Sequence, residues 1–148
     1  VNVYVASSWR NERQPAVVGA LRKGGHKVYD FRHPTPEDTG FSWSEIDRNW
    51  QSWTVDEYIA ALNHPAAEWG FSRDMRALDE CDACVLVLPC GRSAHLELGY
   101  AIGRGKHGII LLDRCEPELM SKMARLCRSM DEVLAALAAI KAEREDAP

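Results

Sequence analysis

No apolar run in this sequence is longer than a strand or a short helix, and a membrane-spanning helix needs about 20 such residues. A membrane partner is therefore not expected. Basic blocks and basic–aromatic repeats are also missing, and 18 Lys and Arg against 22 Asp and Glu leave a net charge of −4. That balance argues against nucleic acid as the main partner while leaving room for a small anionic ligand. The opening VNVYVA has no basic segment ahead of it, so the expected location is cytoplasmic. No GxGxxG follows the first strand-like run, which argues against a standard dinucleotide site. The 5 cysteines are odd in number and Cys81-x-x-Cys84 has no second CxxC. A disulfide framework is not expected, and neither a metal nor a cofactor is. Cys84 sits in an apolar run, where a free thiol behaves as a small core residue.

What is present is a globular composition: 148 residues, 46% hydrophobic and 27% charged. These values suit one domain over residues 1–148 with a single core. Its organising stretch is Asp82 to Leu112, DACVLVLPCGRSAHLELGYAIGRGKHGIILL. An apolar strand (83–88), a polar turn (89–93), a helix through Arg104 and a second apolar strand (108–112) spell a parallel βαβ unit. Glu97 is expected in the first turn of that helix. There the helix dipole favours an ionised carboxylate, which suits a nucleophile as well as simple complementation of the dipole.

Earlier in the chain, strands are expected at 1–6 and 26–31, flanking a helix from about Glu12 to Lys23 that Gly24-Gly25 terminates. Residues 32–53 break all periodicity yet carry Phe41, Trp43, Trp50 and Trp53. A long aromatic segment of this kind is expected to be a lid stacking on a planar ring, an interface loop, or a satellite hydrophobic cluster. Thr54 with Glu57 forms a capping box for a helix over 55–63. Pro65 opens another helix, to Glu80, with Trp69, Met75 and Leu78 expected inward and Arg73 on the surface. A short helix over 118–125 and a fifth strand near 126–129 follow. A last amphipathic helix from Met130 is expected to fray into the tail, 141–148. The fold class is α/β: a three-layer sandwich with a parallel, flavodoxin-like sheet of four to five strands.

In such sheets ligands bind beyond the carboxyl ends of the strands. The first and third strands then bring Tyr4, Ser7, Ser8 and Arg10 toward Ser93, His95 and Glu97. The serines are also natural turn formers, with Ser93 as a helix cap, and the arginines could be plain surface charge. VYVASSWRNERQ at the start, FSRDM in the middle and CDACVLVL-x(4)-SAHLELGYAIGRGK at the centre resemble the nucleoside 2-deoxyribosyltransferase family. Its superfamily includes nucleoside 5′-monophosphate N-glycosidases. The resemblance covers most of Val1 to Leu112, lapsing over the Trp-rich insert and the last third.

The resemblance implies catalytic roles for Glu97, Asp74 and Tyr4. Glu97 would be the nucleophile at the anomeric carbon. Asp74 would help to bind and protonate the leaving base, and Tyr4 would orient the nucleophile. Gly99 and Gly103 would be close-packed helix positions. Substrate contacts are expected from Ser7, Ser8, Trp9, Arg10, Gly91, Arg92, Ser93 and Trp43. Independent chemistry agrees: cleaving an N-glycosidic bond needs a carboxylate beside an oxocarbenium-like centre and an acid for the departing base. Hydroxyl and guanidinium groups suit a phosphate.

The turn 89–93 lacks the carboxylate or amide with which the transferases read a base, and no C-terminal amide is recognisable. A nucleoside or nucleotide N-glycosidase is thus favoured over a strict transferase. Homo-oligomerisation is implied by the resemblance and by the aromatic segment. Two other readings stand beside this one: a TIR-like NAD glycohydrolase, and a non-catalytic nucleotide-binding or interaction module.

Overall fold

Short runs rich in Val, Ile and Leu alternate with amphipathic segments, and the two periodicities become strands and helices in that order. The computed structural model describes residues 1–146. They form two compact units, one made of Val1–Asp30 and the chain from Leu78 onward, the other of Phe31–Ala77.

The first unit holds β1 (Asn2–Ala6), α1 (Gln14–Lys23) and β2 (Lys27–Asp30). After the second unit it resumes with β3 (Ala83–Val87), α4 (Arg92–Gly103), β4 (His107–Leu111), β5 (Arg125–Cys127) and α5 (Met130–Glu145). All strand pairs are parallel, in the order β2-β1-β3-β4-β5. This is a flavodoxin-like sandwich of three layers, and the strand order reverses between β1 and β3.

Strand side chains alternate between faces. Val3, Val5, Val85, Ile109 and Leu111 form one core with Val17, Val18 and Leu21 of α1 and Val133, Leu137 and Ile140 of α5. Tyr4, Ala6, Cys84, Leu86 and Ile110 are also buried and point to the opposite face. There α4 packs across β1, β3 and β4, burying Ala94, Leu98 and Ala101. Each large apolar side chain so buried contributes about 1.5–3 kcal/mol. Helices α1 and α4 are each followed by a left-handed glycine, Gly25 (φ 83°) and Gly105 (φ 76°), as a sharp helix stop requires.

The second unit contains two 3₁₀ turns (Trp43–Glu45 and Trp50–Ser52), α2 (Val55–Ala61) and most of α3 (Pro65–Glu80). Thr54 and Glu57 make the expected capping box, with Thr54 N donating to Glu57 Oε2 at 2.6 Å. Residues 32–53 carry an aromatic cluster. Trp43 meets Phe41, Trp53 and Tyr58 edge-on at centroid distances of 4.9, 5.7 and 5.9 Å. Trp53 Nε1 donates to Asp47 Oδ2 at 2.7 Å.

Several sequence expectations are corrected. Trp69 is 66% exposed rather than inward. Leu78 is buried as expected, but earlier in α3 the buried positions are small residues, Ala67 and Gly70, and a Cβ on Gly70 would lie only 3.0 Å from Phe41 Cβ. Arg73 is no surface residue: its side chain is 16% exposed and pairs with Asp38. The helix expected over 118–125 is a 3₁₀ turn, Leu119–Met123, before β5. Residues 141–145 do not fray but complete α5, where Lys141 pairs with Glu145 at 3.8 Å and Arg144 with Asp82. Asp146 is the C-cap of α5, and the last two residues of the expected tail, 147–148, lie outside the described residues.

Candidate active site

Parallel pairing sets Tyr4 beside Cys84 and Ala6 beside Leu86, so the loops leaving β1 and β3 emerge side by side. Side chains then stitch them together. Ser7 Oγ donates to Val87 O at 2.9 Å. Asn11, only 3% exposed, donates through Nδ2 to Ser7 Oγ (3.1 Å), Val87 O (3.0 Å) and Pro89 O (3.1 Å). Arg13 Nη1 donates to Leu88 O at 3.1 Å and pairs with Asp113 Oδ1 at 3.2 Å. Three successive carbonyls at the end of β3 are therefore held by residues 7–13.

Neither Asn11 nor Arg13 was singled out by sequence reasoning. An asparagine in a polar turn reads as a turn former. Its one distinguishing signal is its place just before the helix, where an amide can satisfy loose backbone groups.

Beyond Pro89 the chain passes Cys90 and enters α4 with Gly91 as N-cap and no side-chain cap. Two expectations change here. Ser93 is not the cap, because the helix begins at Arg92. Glu97 is the sixth residue of α4, so it lies in the second turn, where the end-of-helix field has largely fallen off. The dipole thus contributes less to Glu97 than its expected first-turn position implied. Glu97 is half-buried. Its carboxylate helps to push up two thiols. Cys90 is raised to about 11, first by burial and then by Glu97. Cys84 is raised well above the ordinary thiol value by burial, then Cys81, then Glu97. The charge of Glu97 therefore bears on the β3 residue whose register partner is Tyr4.

With its thiol raised to about 11, Cys90 is a thiol and not a thiolate at neutral pH. His95 Nδ1 lies 3.0 Å from Gly91 O and 3.6 Å from Cys90 Sγ. A carbonyl only accepts, so Nδ1 is the donor and His95 braces the turn.

Of the expected substrate contacts, Trp9, Arg10, Gly91, Arg92 and Ser93 are exposed along this edge, and Ser8 is half-buried. Ser8 Oγ accepts from Arg10 N at 3.2 Å. The Ser7 hydroxyl already spends its proton on Val87 O, so its work is bracing. Tyr4 is fully buried, stacked on Tyr29 at 5.2 Å. Asp74 and Trp43 belong to the second unit. There Arg73 Nε lies 4.0 Å from Asp74 Oδ1, and Trp43 is the hub of the aromatic cluster.

Gly99 and Gly103 are not close-packed, since a Cβ on either would meet nothing within 4 Å. The close approach is made instead by Gly108 of β4, beneath Ile102. Cys81 and Cys84 are buried free thiols. Among the described residues no group of three or more His, Cys, Asp or Glu could hold a metal ion, and no helix is long and apolar enough to cross a membrane.

Comparison with solved structures finds this fold in a 2-deoxyribosyltransferase from the psychrotolerant bacterium Bacillus psychrosaccharolyticus. The TM-score is 0.61 at 17% identity, with 90% of each chain covered. It is also found in the Clostridium botulinum CMP N-glycosidase BcmB, with a TM-score of 0.51 at 17% identity over 93% of this chain and 99% of that one. The likeness at these identities is one of fold. No protein-family profile and no curated protein sequence matches the chain.

Proposed function

We propose that this chain, which shares its fold with a deoxyribosyltransferase and a CMP N-glycosidase, cleaves the N-glycosidic bond of a nucleoside or nucleoside 5′-monophosphate. Glu97 attacks the anomeric carbon: the bond from that carbon to the base nitrogen breaks as an ester to the carboxylate forms. Asp74 supplies the proton that the departing base takes up. Water then attacks the same carbon and sheds a proton that restores the Asp74 acid, while the ester bond breaks to release the sugar and regenerate the Glu97 carboxylate. Tyr4 orients that carboxylate.

Ser8, Arg10, Arg92 and Ser93, with the uncapped backbone N–H groups of α4, suit a phosphate on the sugar. Hydrolysis is favoured over base transfer because the turn 89–93 presents no carboxylate to read a second base.

The observation that carries this reading is the place of Glu97, half-buried on α4 where that helix packs across β1, β3 and β4. It supports a carboxylate set over the centre of the sheet, at the switch point, rather than one turned wholly to solvent. The test is to incubate the protein with nucleosides, nucleoside monophosphates and NAD, and to follow free base by chromatography. Base release from a nucleoside or monophosphate that Glu97→Gln abolishes is the expected result. Release from NAD alone, or release undiminished in the variant, defeats the proposal.

A further inference from the structure

We infer that Asn11, seconded by Arg13, is a positioning clamp that sets the pose of α4 and hence of Glu97; its catalytic part rests on the glycosidase reading above. The amide orientation is fixed by its surroundings. Oδ1 accepts from Arg13 N at 2.9 Å, while Nδ2 faces three oxygens, those of Ser7 (Oγ), Val87 (O) and Pro89 (O). A side chain with both a donor and an acceptor is needed, so neither Asp nor Leu reproduces it. Arg13 adds donation to Leu88 O at 3.1 Å and to Leu112 O at 3.5 Å. Val87, Leu88 and Pro89 are thereby held one after another, and only Cys90 separates them from the N-cap of α4.

The far half of α4 is fixed separately. Leu98 and Ala101 are buried, Tyr100 Oη donates to Asp79 Oδ1 at 2.7 Å, and Arg104 Nε lies 3.5 Å from the same oxygen. The near half has no side-chain cap; Ala94 is its one buried residue and His95 ties it to Gly91 O, so the place of that turn, and with it of the near half, is set by the clamp. Glu97 stands about 8 Å along the axis from Arg92 at 1.5 Å per residue, and a tilt of the near end moves it. Misplacing a reacting group by about 1 Å can cost on the order of 100-fold in rate.

The test uses the whole chain carrying Asn11→Ala, with Asn11→Asp and Arg13→Met as further variants should the first fail to fold. Melting by circular dichroism establishes that each is folded at the assay temperature. Hydrogen exchange is read over residues 88–96, and kcat and KM are measured on a panel of ribonucleoside and deoxyribonucleoside 5′-monophosphates. The expected result is exchange over 88–96 faster by about tenfold or more, with α5 unchanged. With it, kcat falls by about 10- to 100-fold while KM moves less than about threefold.

A folded variant with kcat within about twofold of wild type, or with unchanged exchange over 88–96, overturns the clamp. If the wild type releases no base from any monophosphate, the glycosidase reading falls by itself. Exchange then decides alone: local acceleration upholds the clamp on α4, and unaltered exchange overturns it.

Discussion

Ile102 occupies the space that a side chain on residue 108 would need. A Cβ built on Gly108 would lie 2.6 Å from Ile102 Cδ1 and 2.7 Å from its Cγ1. The absence of a side chain in β4 is what lets α4 lie close to the sheet. Gly108→Ala gains up to about 1 kcal/mol from a stiffer unfolded chain, but overpacking costs about 1–3 kcal/mol, and the cost wins. Urea denaturation should show a net loss of about 1 kcal/mol. Shortening the neighbour with Ile102→Val should recover part of it, with a coupling of at least about 0.5 kcal/mol in the double-mutant cycle.

Glu97→Gln keeps the shape of a half-buried side chain and removes its charge. Base release should fall by on the order of 1,000-fold or more, while the melting free energy stays within about 1 kcal/mol. Parallel kinetics and thermal melts on one preparation check both halves. An inactive variant that is also unfolded would not count in favour of the nucleophile.

Cys90 reports on the same carboxylate without any substrate. Burial, then Glu97, raise its thiol to about 11, and alkylation runs through the thiolate. Removing the charge lowers that value, so iodoacetamide at pH 8.5 should label Cys90 a few times faster in Glu97→Gln than in wild type. Exposed Cys115 serves as the internal reference. Peptide mass spectrometry over time gives both rates, and equal Cys90 rates in the two proteins would separate Glu97 from this turn.

Cys81 makes stability fall at alkaline pH. Its thiol, which donates to Leu78 O at 3.1 Å, is raised by burial from an ordinary 9.0 to about 11. Between those values the unfolded chain gives up a proton that the folded chain retains. The contribution is therefore complete below about pH 9 and is lost as pH climbs through about 11. The melting temperature should drop across that window, and Cys81→Ala should flatten the drop.

The strands were legible because each is a short apolar run bounded by turn chemistry, and β1 to β4 lie within a residue or two of where such runs predict them. Local signals also placed α3 and the Thr54 cap. What local pattern could not show was which side of a helix becomes the inside. Trp69 looked like core by size, yet it is exposed while Gly70 faces inward, where Phe41, some thirty residues away in sequence, leaves no room for a side chain. The exchange of roles between Gly99, Gly103 and Gly108 has the same origin, since only the packed pair of elements decides which glycine is crowded. For the candidate site, residue types on the two loops were readable. The bonds from Asn11 and Arg13 were not, because they join positions more than seventy residues apart.

The central pairing of the sheet, Tyr4 with Cys84, can form only after the chain between them has been drawn together. The entropy of closing such a loop grows slowly, by about 0.6 kcal/mol for each doubling. Residues 31–77 could therefore be lengthened or trimmed with little penalty to the finished sheet. Speed is another matter: a centre built from partners so distant along the chain makes for slow assembly. The aromatic insert is thus the part of this protein best able to vary in size from one descendant to the next, while β1 and β3 wait on either side of it to meet.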